Sequence, residues 1–234
     1  MKKTILLLVF AGLLSSLASW AAESAQKVDQ RLQNAREVLE EMINAPDKGI
    51  PEEVIKSAKC IAIIPHELNG GFVFGARYGR GVATCRTPNG GWSAPAFFTM
   101  TGGSWGAQIG IEGVDNVLTI MNRKGMDRLL SNKFTIGADA SAAAGPVGRH
   151  AAVGTDWKLD TEILSYSRSK GVFAGVTLNG AVVRPDTSAL RAFYGSKATY
   201  RDVLLGRLPP PPAAKSFLAA VRQVEMQANE RAKK

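Results

Sequence analysis

Cysteine and histidine are scarce in this 234-residue chain, two of each. Cys60 and Cys85 stand alone, His66 and His150 lie far apart, and neither pair has metal-ligand spacing. No local pattern supports a cysteine–histidine nucleophile. The chain has no Walker-type phosphate loop and no His-Glu-x-x-His. Gly75-Ala76-Arg77-Tyr78-Gly79-Arg80-Gly81 is glycine-rich but lacks the dinucleotide order, and it falls between predicted strands rather than before a helix. Acidic neighbours such as Asp156, Asp160 and Glu162 are of a kind any globular chain carries. With no mechanism-bearing constellation, the expectation is a protein that is not an enzyme and needs no cofactor and no metal. No repeat recurs at a fixed period, which argues against a solenoid. The apolar run from Ile5 to Leu17 is too short to span a bilayer comfortably.

That run follows Met1-Lys2-Lys3 and precedes small residues, the pattern of a secretory signal peptide over residues 1–21. Cleavage after Ala21 fits, with Ala18 as the alternative, and no cysteine nearby suggests a lipoprotein signal. Removal takes two lysines from the formal charge of +9, leaving +7 on one good-sized domain. A basic excess favours anionic partners. For an exported chain, periplasmic or extracellular, lipid or cell-wall polymer is the expected partner rather than nucleic acid. The same charge also fits a soluble basic surface. In an oxidising compartment the two cysteines suggest a disulfide joining neighbouring strands.

Val28, Leu32, Ala35, Val38, Leu39, Met42 and Ile43 fall on one stripe of a predicted helix over 24–44. It either packs on the domain or lies in a membrane interface. Pro51 with Glu52 and Glu53 opens a short second helix. Cys60–Ile64 reads as a buried strand. Strands are also predicted at 72–78, 82–86, 94–100, 104–111 and 117–121, with Gly79 and Gly81, Gly102-Gly103 and Asp115-Asn116 as breaks. A short helix over 123–130 turns Met126, Leu129 and Leu130 inward. A strand is predicted at 134–136, another at 162–168, and Gly171 opens the next. Asn179-Gly180 between apolar flanks is the strongest hairpin signal. Helical segments follow around 190–194 and 200–205. Pro209–Pro212 then reads as a stiff linker to a last helix with Phe217, Val221, Val224 and Ala228 on one stripe. The expected fold class is α+β, a curved, barrel-like antiparallel β-sheet flanked by N- and C-terminal helices. Closure would remove exposed sheet edges.

Two segments stand out. Gly137-Ala138-Asp139-Ala140-Ser141-Ala142-Ala143-Ala144-Gly145-Pro146-Val147-Gly148-Arg149 has almost no bulk, which lets backbone or a ligand approach closely. Glu162–Val176 follows, with Ser165-Tyr166-Ser167-Arg168-Ser169-Lys170-Gly171 inside it. Together with Ile63-Ile64-Pro65, Gly71–Gly75, Gly91–Pro95, Gln108-Ile109-Gly110 and Tyr194-Gly195, in that order, they resemble the SYLF domain family over roughly residues 30–200. The resemblance implies a lipid-binding module on residues 22–208, with 209–234 as linker and C-terminal helix. It also implies a barrel-like core. Actin binding by eukaryotic members is not carried over to an exported chain.

The expected partner is an anionic phospholipid membrane. An envelope protein, peptidoglycan or an apolar ligand inside the barrel are the rivals, and oligomeric state stays open. Two basic groups are candidates for a headgroup site: Arg149, Arg168 and Lys170 near the signature, and Arg123, Lys124, Arg128 and Lys133 around the short helix. Lys124 and Arg128 represent the second group in the candidate set. Each group also reads as a solvated face. Asp139, among alanines, is expected to be buried and hydrogen-bonded to backbone amides or to a local arginine, Arg149 or Arg168, or else to floor a ligand site. Trp92 and Trp105 either pack in the core or sit at loop tips.

Overall fold

The computed structural model describes residues 25–41, 49–71, 74–105, 110–148, 161–169 and 172–231. In chain order, α1 (25–41) and α2 (Glu52–Ser57) precede four long strands: β1 (Cys60–Gly71), β2 (Phe74–Cys85), β3 (Ala96–Trp105) and β4 (Gly110–Ile120). Then come α3 (Arg123–Leu129), β5 (Phe134–Thr135), β6 (Ala142–Ala144), β7 (Ile163–Ser169), β8 (Val172–Gly175) and β9 (Val182–Pro185). α4 (Thr187–Tyr194), α5 (Tyr200–Leu204), a 3-10 turn at Pro212–Ala214 and α6 (Lys215–Arg231) complete the described chain.

The apolar run at Cys60 sits at the centre of one sheet. β1 pairs antiparallel with β2 on one side and β4 on the other. Cys60 through Ile64 are fully buried, as a strand covered on both faces requires. The strand order is β5-β9-β3-β2-β1-β4-β7-β6, with β8 also on β7. β6 runs parallel along Ile163–Ser165 and β8 antiparallel along Tyr166–Ser169. If flat, this path would hold β5 and β6 about 34 Å apart, at about 4.8 Å per strand. Yet Thr135 and Ala142 are so close in sequence that the chain between them reaches about 25 Å at most. The sheet therefore curls into a half-barrel. Its pairing stops at β5 and β6, and the segment 136–141 spans the gap, tightened by the Gly137 N–H donating to the Ala140 carbonyl at 2.8 Å.

α1 packs on the domain. Val28, Leu32, Ala35, Val38 and Leu39 are all buried, while Met42 and Ile43 lie outside the described residues. Arg31, a charged residue outside that apolar stripe, is buried too. It sits over the Phe97 ring and bonds Asp186 at 3.0 Å. In α6 the stripe of Phe217, Val221, Val224 and Ala228 joins the same core. Glu225 on α6 pairs with Arg86 and accepts a hydrogen bond from the Trp92 indole at 2.8 Å, with Arg86 stacked on that ring. Trp92 is thus a half-buried anchor rather than a free loop tip. The Trp105 side chain lies outside the described residues. None of the described helices is long and apolar enough to cross a membrane.

Several predicted breaks are not breaks. Gly79 and Gly81 lie inside β2, where a Cβ would overlap Ile64 and Phe98 respectively, so they make room for neighbours instead of ending a strand. Gly102-Gly103 and Asp115-Asn116 likewise sit within β3 and β4. Asn179-Gly180 does turn the chain, with Gly180 at φ 83°, but it joins no hairpin. β8 before it pairs with β7, and β9 after it pairs with β3 and β5, near the other end of the sheet. The Gly180 N–H donates to Ile136 and the Ile136 N–H to Ala181, both at 2.8 Å, so the turn is tied to the gap segment.

Candidate functional site

Cys60 and Cys85 face each other across β1 and β2 and form a disulfide, their Cα atoms 4.0 Å apart. The bond pins the far end of the central strand pair. It leaves no described thiol for chemistry.

The two signature segments meet along β7. The Gly145 N–H donates to the Ser165 carbonyl at 3.0 Å, and the Val176 N–H to the same oxygen at 3.1 Å. There the ends of β6 and β8 abut. A Cβ at Gly175 would overlap the Gly145 carbonyl, and one at Gly145 would overlap the Tyr166 ring. Close approach is thus the use of the small-residue run, and what approaches is the chain's own backbone and a tyrosine. Tyr166 is fully buried, its hydroxyl has no hydrogen-bond partner among the described residues, and burial pushes its pKa well above the ordinary phenol value. Asp139 corrects the expected burial but has the backbone-amide partner that was one of the expected alternatives. It is exposed, and its carboxylate accepts the Thr135 N–H at 2.7 Å within the tight turn after β5. No buried cation pairs with it among the described residues, since a short polar side chain in a turn satisfies local backbone instead.

Of the first basic group, Arg149 and Lys170 lie outside the described residues. Arg168 is largely enclosed and held by two acids, Asp115 beside it on β4 and Glu41 at the end of α1. Asp115 also accepts the His66 N–H at 2.9 Å, at a β1 bulge where His66 has φ 51°. The cation is therefore a clasp between sheet and helix.

The second basic group is more open. Asn122 caps α3 by accepting the Gly125 N–H at 2.9 Å, while Met126, Leu129 and Leu130 point inward as expected. That orientation leaves Arg123, Lys124, Arg128 and Lys133 outward. Lys124 reaches the buried Glu162 carboxylate at 2.9 Å yet stays 71% exposed. Arg123 pairs with Asp127 one turn on. Arg128 and Lys133 are exposed and have no acid partner among the described residues.

A buried polar cluster escaped the sequence reading. Glu67, fully buried beyond the β1 bulge, accepts the Asn116 amide at 2.6 Å and lies 3.7 Å from Arg77. Burial raises its pKa despite the opposing pull of Arg77 and Asn116. Among the described residues no cluster of histidine, cysteine and carboxylates could hold a metal ion.

This half-barrel and its ordered signature define the class. The chain belongs to the Ysc84/SYLF family: residues 101–224 match the family described as Ysc84, Las17-binding protein actin regulator. It is 39% identical over 171 residues to LAS seventeen-binding protein 3 of Saccharomyces cerevisiae, covering 71% of this chain and 37% of that protein. To Protein YSC84 of the same yeast it is 39% identical over 176 residues, 74% of this chain and 37% of the relative. Human SH3 domain-containing YSC84-like protein 1 is 33% identical over 175 residues, 74% of this chain and 51% of the relative. The chain thus spans about a third to a half of the curated relatives it matches.

Proposed function

We propose that this is a non-enzymatic, exported domain that binds anionic phospholipid at a membrane surface. The observation that carries the reading is the open cationic face at α3, where Arg128 and Lys133 are exposed without acid partners among the described residues and Lys124 adds a largely exposed ammonium. The formal charge of +7 left after removal of residues 1–21, which takes two lysines from +9, supports it. Membership of a family of regulators and binders rather than of a catalytic family is consistent with it. Export rests on residues 1–21 acting as a signal peptide, which N-terminal sequencing of secreted protein tests.

Vesicle sedimentation tests the membrane reading. Binding to phosphatidylglycerol vesicles is expected, with little to phosphatidylcholine. It should weaken as added salt shortens the screening length from about 10 Å at about 0.1 M to about 3 Å at about 1 M. Reversing Arg128 and Lys133 to glutamate should abolish it, whereas Lys215→Glu on α6 should not. Equal binding to both vesicle types, insensitive to salt, would sink this reading.

A second reading, a scaffold for an envelope protein, draws on one observation. Leu68 and Tyr78 face each other in register on β1 and β2 and stay 52% and 42% exposed, with Arg80 over the Tyr78 ring. Defined crosslinks from position 78 to one envelope protein, with no vesicle binding, would favour it.

A further inference from the structure

The end of β9, α4 and the start of α5 enclose a cleft of about 420 Å³ that neither reading above uses. Two guanidinium groups border it, Arg184 on β9 and Arg191 on α4. Both are exposed, and neither has an acid partner among the described residues. The acids close to them in sequence are occupied elsewhere. Asp186 is bonded by Arg31 at 3.0 Å, and Asp202 by Arg207 at 2.7 Å.

Tyr200 lines the same cleft. It is 7% exposed, and its hydroxyl, itself buried, has no hydrogen-bond partner among the described residues. Pro185 and Leu190 give one wall an apolar surface.

We propose that this cleft binds a phosphate monoester. Arginine forks match phosphate oxygens bidentately, and two of them suit a dianion better than a carboxylate or a phosphodiester. Arg184 and Arg191 hold the phosphate oxygens, and the wall of Pro185 and Leu190 takes the carbon skeleton of the ester. The inference rests on this cleft alone and does not need the cationic face of α3.

Calorimetric titration of the full chain with glycerol 3-phosphate, with glycerol as the uncharged control, tests it. Saturable binding of the phosphate ester alone is expected. Arg184→Gln or Arg191→Gln should weaken it about tenfold or more, the loss of one charge-assisted pair. If either glutamine variant fails to fold, Arg184→Lys, which keeps the charge and loses the fork, should still weaken binding. A parallel arm compares vesicles of phosphatidate, a monoester, with phosphatidylglycerol, a diester. Selective loss of phosphatidate binding in Arg184→Gln would place the ester on a lipid, and glycerol 3-phosphate binding lost in the same variant would place it in solution. Glutamate at Arg128 and Lys133 should leave glycerol 3-phosphate binding intact, which separates this site from the α3 surface. No binding in either arm, or binding unchanged in folded Arg184→Gln and Arg191→Gln proteins, overturns the proposal.

Discussion

The ring of Tyr166 occupies the space that a Cβ at Gly145 would need. Gly145→Ala should therefore force the ring or the β6 backbone to move, an overpacking cost of about 1–3 kcal/mol. Chemical denaturation checks this. The same substitution at Gly113, where a Cβ meets nothing within 4 Å, serves as the control. Equal stability of Gly145→Ala and wild type would contradict the packing described.

Reduction of Cys60–Cys85 should lower the melting temperature. Closing a loop across a sequence separation of 25 residues stabilises by about 3 kcal/mol in the chain-entropy model. Thiol labelling of unreduced, denatured protein from an oxidising compartment should find neither cysteine free.

Asp186→Ala should destabilise by about 3–5 kcal/mol, because it strands the buried Arg31 and removes the cap that accepts the Ala189 N–H. Burial pushes the Asp186 carboxyl up, but hydrogen bonds from Ser188 and Ala189 and the Arg31 charge outweigh it and hold the pKa below the usual carboxylate range. A lowered folded-state value means that the contribution is complete above the unfolded pKa of about 3.9 and is lost as pH falls through the folded one. The acid limb of a stability–pH curve should therefore flatten in Asp186→Ala.

Glu67 has the opposite sign. Its raised pKa means its contribution is full below the unfolded value of about 4.3 and declines as pH rises through the folded one. Glu67→Gln, which retains an acceptor for Asn116, should lose that decline. Melting curves from acid to neutral pH read the difference, and a profile matching wild type would show that Glu67 does not titrate there.

Arg168→Ala should lower stability more than vesicle affinity, since it leaves the buried Asp115 and the α1 residue Glu41 without their cation. Measuring both quantities on one preparation separates clasp from headgroup ligand. Unchanged melting with lost vesicle binding would return Arg168 to the lipid site.

What the sequence displayed well was local. The stripe of α1, the apolar run of β1 and the inward face of α3 follow from periodicity and appear where expected. The cysteine pair was legible because there were only two candidates. Long-range choices were not legible. The burial of Arg31 and Glu67 could not be read, because nothing nearby in sequence announces Asp186 or Asn116 as partners. Asn179-Gly180 read as a hairpin because turn chemistry is local, whereas which strands flank a turn depends on how the whole sheet curls. The cleft residues Arg184, Arg191 and Tyr200 sit on three elements, and each alone looks ordinary.

The placement of β1 has a consequence for the order of folding. It is the first strand made, yet its neighbour β4 ends at Ile120, and the second layer of pairing waits for β7 and for β9 at Pro185. Pairings that span so much chain are slow to close and leave the apolar Cys60–Ile64 run uncovered meanwhile. Until about four-fifths of the chain has emerged, this protein is a set of sticky hairpins rather than a fold, a state well suited to capture by a holding chaperone.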